Sequence, residues 1–247
     1  MQANSSKSAS ESRTVLVVGG TGGIGGAISR AFAADGCEVI ATGVTQNEID
    51  AFQPTSGSRI DARRLDITNT NEIEQLVGSL PRLDVLINAA GTILRNDAEH
   101  EANAFERVID VNLNGTTRAC FACKPLLFAS GGCVVNLASM LSFFGSGPAP
   151  AYSASKGGVA QLTKSLAIAW ASNDVRVNAV APGWIETALT QPLVDDPVRR
   201  DGILNRTPMA RWGKPDDVTG AVQFLCSPAA AFITGVVLPV DGGYSIA

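Results

Sequence analysis

Short runs of consecutive apolar residues recur along the 247-residue chain, and each is followed by a longer stretch in which apolar and polar residues mix. Runs such as Thr14–Gly19 and Leu83–Asn88 lack the alternation of a half-buried strand, so both of their faces should be covered. Strands that alternate with helices are joined by right-handed crossovers and lie parallel. The pattern therefore predicts one domain built on a doubly wound parallel sheet of about seven strands, with helices on both faces.

The boundaries of this domain follow from the same pattern. The predicted strands are Thr14–Gly19, Glu38–Thr42, part of Arg59–Asp66, Leu83–Asn88, Cys133–Ala138, Val175–Val180 and Val236–Val240, and the predicted long helices are Gly23–Asp35, about Ala102–Ala129 and Tyr152–Ala171. The domain spans residues 13–247, and residues 186–214, rich in proline and charge, are predicted to form a substrate lid. The polar, serine-rich residues 1–12 are predicted to be a disordered tail without a secretory signal.

The composition argues against several functional classes. A net charge of −4, without a basic stripe, disfavours a nucleic-acid partner, and no apolar run is long enough to span a membrane. The five cysteines are odd in number in a chain too large to depend on disulfides, which favours reduced thiols and a cytoplasmic location.

Cys120 and Cys123 form a C-x-x-C pair within a predicted helix, where residues three apart share a face. A metal or redox site is the alternative to packing, but the chain has no second such pair, and His100 is its only histidine. We therefore predict packing and no metal site. The single histidine also disfavours a Ser-His-Asp hydrolase.

A glycine-rich segment follows the first predicted strand and opens the first predicted helix. It fits two phosphate-loop spacings, Gly20-x-Gly22-x-x-Gly25 and Gly19-x-x-x-Gly23-x-Gly25. The glycines allow a tight turn and close approach of the backbone to phosphate, and the helix N-terminus offers unpaired N–H groups. A tight turn without a ligand is the alternative.

Asp66 follows the third predicted strand. Its carboxylate could accept a hydrogen bond from an adenine amino group, or it could cap the helix that starts near Thr68. The sequence leaves both readings open.

Tyr152 and Lys156 begin the third long helix, and their i, i+4 spacing places them on the same face. A nearby ammonium stabilises a phenolate, which would lower the pKa of Tyr152 and let it exchange a proton with a substrate. Ser139 ends the preceding strand, at the edge of the sheet where ligands bind in open α/β folds.

These motifs resemble those of the short-chain dehydrogenase/reductase family over nearly the whole chain. The matching residues are Gly19-x-x-x-Gly23-Ile24-Gly25, Asn88-Ala89-Ala90-Gly91, Asn112, Ser139, Tyr152-x-x-x-Lys156 and Pro182-Gly183. Two departures are Val18, where many members carry threonine, and Ala89, where many carry a second asparagine. The resemblance implies a Rossmann fold that transfers a hydride between a nicotinamide cofactor and a small ketone or secondary alcohol.

The resemblance also implies residue roles. Tyr152 would be the acid in reduction and the base in oxidation, Lys156 would lower its pKa and bind the nicotinamide ribose, and Ser139 would orient the substrate oxygen. Asn112 would hold a water that links Lys156 to solvent. The residues implied to contact the cofactor are Gly19, Thr21, Gly22, Gly23, Ile24, Gly25, Thr42, Asp66, Ile67, Asn88, Ala89, Ala90, Gly91, Tyr152, Lys156, Pro182, Gly183, Ile185 and Thr187.

The choice of cofactor depends on the end of the second strand. An acid there would bind the adenosine ribose and select NAD(H), but the sequence reads Thr42-Gly43-Val44-Thr45. Without a carboxylate a 2′-phosphate meets no repulsion, and Thr42 and Thr45 could donate to it. Gly22 stands where many NADP-dependent relatives carry a basic residue. These mixed signals slightly favour NADP(H) over NAD(H).

The predicted substrate pocket consists of Ser139, Leu141, Phe143, Phe144, Tyr152 and Trp184. An apolar lining favours a substrate with a hydrophobic part, although the two phenylalanines could equally pack inward or into a subunit contact. A small ketone, a polyol or sugar-derived alcohol, or a cyclic alcohol fits this expectation.

Two alternatives remain from the sequence. A 3-oxoacyl-carrier-protein reductase should carry a basic patch for its acidic partner, but residues 125–133 and 169–175 contain no lysine or arginine. A non-catalytic, nucleotide-sensing protein of the same fold is the other alternative. The resemblance also implies a homotetramer assembled through the long helices and the C-terminal strand.

Overall fold

The computed structural model describes residues 12–247, so the tail predicted at residues 1–12 lies outside the described part except for Ser12. The strands are β1 Thr14–Val18, β2 Glu38–Gly43, β3 Ile60–Arg64, β4 Val85–Asn88, β5 Cys133–Leu137, β6 Arg176–Pro182 and β7 Val237–Val240. They form a seven-stranded parallel sheet in the order β3-β2-β1-β4-β5-β6-β7. The predicted Rossmann architecture is confirmed.

Helices cover both faces of this sheet. They are α1 Gly23–Ala34, α2 Gln46–Ala51, α3 Thr70–Gly78, α4 Ala102–Ile109, α5 Gly115–Ser130, α6 Pro150–Trp170, α7 Gln191–Val194, α8 Pro197–Arg206 and α9 Pro215–Leu225. Successive residues of β1 point into different halves of the core: Leu16 packs in the cluster that contains Cys120 of α5, and Val17 packs in the cluster that contains Ile28 of α1. Because both faces of the sheet are buried, the central strands need apolar residues at consecutive positions.

The helix predicted over Ala102–Ala129 is in fact two helices. A π-helical turn, Asp110–Asn114, lies between α4 and α5. Periodicity alone cannot reveal this interruption, because one widened turn hardly disturbs a pattern of apolar residues, and such turns are frequent at functional sites. The turn carries Asn112, which the resemblance singled out.

The five cysteines are free and buried, as expected for packing residues. Burial raises the pKa of the Cys120 thiol to about 12 and that of Cys123 even further, so both thiols stay protonated and unreactive. Within residues 12–247, no cluster of potential metal ligands occurs, and no helix of that part is long and apolar enough to cross a membrane.

Candidate active site

The glycine loop joins β1 to α1 and lies against the end of β4. Gly19 has a φ of +76°, and a Cβ placed there would come within 2.6 Å of the Ala90 nitrogen. Thr42 at the end of β2 accepts a hydrogen bond from the Gly19 nitrogen at 3.1 Å. The loop is therefore held against the carboxyl ends of three neighbouring strands, at the switch point where open α/β sheets bind ligands.

The N-terminus of α1 is open to an anion. Its N-cap, Gly22, provides no side-chain cap, and its first turn holds no acidic residue, whereas Asn69 and Asp196 cap α3 and α8 with their side chains. Among residues 12–247, no atom lies within 4 Å of a Cβ placed on Gly22. Free amides, a positive helix end and open space together fit the pyrophosphate of a dinucleotide.

A cleft of about 1140 Å³ runs along the carboxyl ends of the strands, from Asp66 past the glycine loop to Tyr152. This volume exceeds the range of about 300–1000 Å³ that is usual for drug-sized ligands. All of the predicted cofactor residues line the cleft except Asn88. Asn88 lies beneath it instead, where its amide donates to the side-chain oxygen of Asn136 at 2.9 Å and supports the sheet.

The adenosine end of the cleft differs from the expectation. Although no acid ends β2, the carboxylate of Glu48, from the first turn of α2, accepts a hydrogen bond from the Val44 nitrogen at 2.9 Å and lines the cleft. Thr42 is 1% exposed, so it supports the loop and does not point towards a 2′-phosphate. Sequence reasoning missed Glu48 because α2 folds back on the end of β2. Asp66 lines the cleft, and its carboxylate also accepts from the nitrogen of Thr68 at 2.9 Å.

The Ser139 side chain stands at the end of β5. Its oxygen accepts a hydrogen bond from the Leu141 nitrogen at 3.2 Å, which leaves the hydroxyl proton available for a ligand oxygen or for Tyr152. The neighbouring Ser142 hydroxyl donates to the Lys156 carbonyl at 2.7 Å and thereby ties this turn to α6.

Tyr152 and Lys156 meet at the same end of the cleft. The Lys156 ammonium lies 5.6 Å from the centre of the Tyr152 ring and donates to the Leu137 carbonyl at 2.7 Å. Burial lowers the pKa of Lys156 to about 8. Burial is also the largest influence on Tyr152 and raises the pKa of its phenol, although a hydrogen bond with Ser139 opposes this rise. Burial therefore decides the direction in which the pKa of Tyr152 shifts, and the lowering expected from the Lys156 ammonium does not.

Asn112 braces the site from below. Its amide nitrogen donates to the Thr92 carbonyl at 2.9 Å and to the Ser155 hydroxyl at 3.0 Å, and its oxygen accepts from the Thr92 nitrogen at 2.7 Å. A Cβ on Gly91 would lie 3.4 Å from both the Asn112 oxygen and the Lys156 ammonium nitrogen. Asn112 thus joins the end of β4 to α6, and its oxygen faces the same small space as the ammonium.

The apolar substrate residues expected from the sequence do not line the cleft. Phe143 is exposed, and Phe144 packs near Tyr244 with its ring centroid 6.2 Å away, beside the guanidinium of Arg206. Trp184 packs edge-on against Trp212, and Leu141 is also absent from the lining. Phe144 and Trp184 both pack near Tyr244 of the C-terminal segment. Their positions in the sequence could not indicate this contact.

Arg95 is a second residue that the sequence analysis missed. Its guanidinium donates to the carbonyl of Leu189, a cleft-lining residue, at 2.6 Å. The positive charge acts on Tyr152, and burial together with the charge of Arg199 lowers the pKa of Arg95. The only available signal was an arginine four positions after Gly91, where the chain leaves the sheet edge.

A phosphate-binding loop and a Ser-Tyr-Lys group in one cleft of a doubly wound sheet define a nicotinamide-dependent oxidoreductase. Similarity to known proteins agrees with this class. A family model described as enoyl-(acyl carrier protein) reductase matches residues 19–245. The chain is 40% identical over 240 residues to 2-dehydro-3-deoxy-D-gluconate 5-dehydrogenase of Bacillus subtilis, covering 94% of each chain.

Two further similarities extend this result. The chain is 37% identical to galactitol 2-dehydrogenase (L-tagatose-forming) of Cereibacter sphaeroides, over 93% of this chain and 94% of that one. It superposes with a TM-score of 0.88 and 31% identity on a gluconate 5-dehydrogenase from Burkholderia cenocepacia solved with NADP and tartrate, covering 95% and 96% of the two chains. The chain belongs to the short-chain dehydrogenase/reductase family. It is an NAD(P)-dependent oxidoreductase that acts on CH–OH and C=O groups.

Proposed function

We propose that the protein interconverts a secondary alcohol and a ketone on a small polyhydroxylated acid, a sugar acid in particular, with NADP(H) as the favoured cofactor. The observation that carries the proposal is a half-buried cation, Arg95, which donates to the carbonyl of the cleft-lining Leu189 and whose charge acts on the phenol of Tyr152. Relatives named for gluconate derivatives support the same class of substrate.

The chemistry assigned to each residue follows from its position. In reduction, the half-buried phenol of Tyr152, whose raised pKa keeps it protonated, gives its proton to the carbonyl oxygen, and Ser139 donates a hydrogen bond that stabilises the developing charge on that oxygen. The ammonium of Lys156 stabilises the phenolate that remains. The family resemblance gives Asn112 the role of holding a water that links Lys156 to solvent, through which the proton would be replaced. The glycine loop and residues 182–187 would hold the nicotinamide cofactor, which would supply or accept the hydride.

Arg95 is assigned to the substrate carboxylate. A guanidinium binds a carboxylate with two parallel hydrogen bonds. Arg95 donates one N–H to Leu189 and retains others, whereas Arg199, whose charge acts on Arg95, is paired with Asp196 at 3.5 Å. A guanidinium binds a carboxylate more strongly than a neutral hydroxyl group, so Arg95 favours acids.

Replacing Arg95 with methionine tests this assignment. We expect KM for a sugar acid such as D-gluconate to rise by about 30-fold or more, because the charge-assisted hydrogen bonds to the carboxylate are lost. KM for galactitol should change by less than about threefold. Steady-state kinetics with both substrates measures the difference, and Arg59→Met, at the far edge of the sheet, is the control. An equal rise for both substrates would contradict the assignment.

Glu48 limits the preference for NADP(H) that the lack of an acid at the end of β2 allows. Its carboxylate accepts from the Val44 nitrogen, a donor that a 2′-phosphate could otherwise use, and it would repel that phosphate. We expect Glu48→Gln to raise the ratio of kcat/KM for NADP(H) to that for NAD(H) by about fivefold. Asp50→Asn is the matched control, since it removes the same charge from the same helix outside the cleft. An unchanged ratio in Glu48→Gln would refute the role given to this carboxylate.

Residues 186–214 are assigned to a lid over the cofactor and substrate. The segment holds α7 and α8, and its first residues cover the glycine loop: a Cβ on Gly23 would lie 3.4 Å from a methyl carbon of Thr187. Leu189, which Arg95 holds by its carbonyl, lines the cleft. A cover of this kind excludes water from the hydride transfer.

A cytoplasmic homotetramer completes the proposal. Ile168 on α6 and Phe121 on α5 are 82% and 55% exposed, and these apolar side chains on the two long helices would be covered in such an oligomer. Sedimentation velocity should give the mass of four chains, and a stable monomer would contradict this assembly.

A further inference from the structure

Glu99 is a carboxylate with no exposed surface, in a single helical turn before α4. One of its oxygens accepts a hydrogen bond from the Leu94 nitrogen at 2.9 Å, and the other accepts from the Tyr152 nitrogen at 2.8 Å. Removing a carboxylate from water is costly unless strong hydrogen bonds replace the hydration. The hydrogen bonds to the two backbone amides offset this cost and join the two segments that carry those amides.

The hydrogen bond from the Tyr152 nitrogen places one end of this link at the start of α6, the helix that carries Tyr152 and Lys156. Tyr152 is the third residue of α6, and the N-cap of this helix, Ala149, has no side chain that can cap it. Pro150 offers no N–H group. Glu99 therefore supplies the missing cap from a distant segment, and its negative charge lies at the positive end of the helix dipole.

The hydrogen bond from the Leu94 nitrogen connects the same carboxylate to the loop that carries Arg95. Leu94 immediately precedes Arg95, so its hydrogen bond fixes the backbone from which the guanidinium extends. The neighbouring His100 ring nitrogen lies 3.0 Å from the Gly147 carbonyl and adds a second link to the segment before α6.

We propose that Glu99 is a positioning residue, whose carboxylate fixes the phenol of Tyr152 relative to Arg95 by tying the first turn of α6 to the loop after β4. The inference rests on the proposed function, because it deepens the account of the same site. Glu99 touches neither the reacting atoms nor the cofactor. It acts through Tyr152, which moves the proton, and through Arg95, which is assigned to the substrate carboxylate.

The charge of Glu99 provides a signature that separates this role from simple support of the fold. The charged groups that act on the phenol are Glu99 and Arg95 from the loop, and Lys156 lies one turn further along α6. Glu99 raises the pKa of Tyr152 and Arg95 lowers it. Removing the negative charge should therefore move the ionisation of Tyr152 to lower pH.

The test compares Glu99→Gln, Glu99→Asp and Asp84→Asn. Glutamine keeps the size but loses the charge and one acceptor, and aspartate keeps the charge but is too short to reach both amides. Asp84 is the matched control: its buried carboxylate also accepts from a backbone nitrogen, that of Thr14 at 2.9 Å, but at the opposite end of the strands.

Two readouts are combined. In kinetics, we expect kcat to fall about tenfold in both Glu99 variants while the dissociation constant of NADPH stays within about twofold of the native value. In a Tyr244→Phe background Tyr152 is the only tyrosine, so the absorbance of tyrosinate reports this residue alone. We expect the Tyr152 midpoint to fall by about one pH unit in Glu99→Gln and to stay close to native in Asp84→Asn.

The titration needs no turnover, so it remains decisive if the native protein turns over no sugar acid and the proposed function fails. If Glu99→Gln does not fold, the kinetics of Glu99→Asp carry the test. An unchanged kcat in the folded Glu99 variants, or a Tyr152 midpoint that stays at its native value in Glu99→Gln, would overturn the proposal. The proposal would also be overturned if kcat fell by the same factor in the Glu99 variants as in Asp84→Asn.

Discussion

Tyr152→Phe is expected to lower kcat/KM by about 10³-fold, because general acid–base catalysis contributes about 10²–10⁴ and the phenol is the group placed to move the proton. The substitution removes one oxygen and keeps the ring. NADPH should therefore bind within about twofold of its native affinity, because the pyrophosphate and carboxamide contacts lie elsewhere in the cleft. Absorbance of the reduced nicotinamide measures the rate, and fluorescence titration measures the affinity.

Tyr244→Phe is the matched control for this experiment. It makes the same chemical change in a ring that packs 6.1 Å from Trp184, outside the cleft, and it should retain nearly native activity. Activity that survives in Tyr152→Phe would remove the phenol from the mechanism. A native protein that binds NADPH but turns over no member of a broad panel of sugar acids and polyols would favour the nucleotide-sensing alternative.

Gly25→Ala is expected to weaken NADPH binding by about 100-fold and to destabilise the fold by about 1–3 kcal/mol. A Cβ on Gly25 would collide with the carbonyl of Gly19 and come within 3.1 Å of the Ala89 side chain. Both neighbours are held in place: Gly19 by Thr42, and Ala89 by its hydrogen bond to the Val18 carbonyl at 2.8 Å. The turn therefore has to open, which moves the amides away from the phosphates.

Gly220→Ala provides the comparison, since a Cβ at this position of α9 meets no atom of the described part of the chain within 4 Å. It should bind NADPH normally and unfold at a slightly higher temperature, because alanine is favoured over glycine inside a helix by about 1 kcal/mol. Calorimetry and fluorescence titration give the two quantities. Normal affinity in Gly25→Ala would show that the close approach of the loop to α1 does not shape the phosphate site.

Features that depend on local patterns could be predicted from the sequence. The apolar runs predict the central strands, because strands buried on both faces must be apolar at consecutive positions. The glycine spacing predicts the phosphate loop because its backbone conformation and close contacts are local requirements, as at Gly19 and Gly25. The i, i+4 spacing likewise brings Tyr152 and Lys156 to one face of α6, and the β5 end brings Ser139 to the same cleft.

Features that depend on distant segments meeting were decided by the tertiary structure. The Glu48 carboxylate reaches the end of β2 only because α2 folds back, and Glu99 reaches Tyr152, 53 positions away, only because two loops pack together. Phe144 and Trp184 were expected beside the substrate, but an aromatic cluster with Tyr244 and Trp212 holds them elsewhere. Local patterns sufficed to predict the fold, the glycine loop and the group of Ser139, Tyr152 and Lys156, since each is encoded within one element or its immediate neighbours. The charges that surround this group were decided by tertiary packing, because they come from segments whose proximity no local spacing encodes.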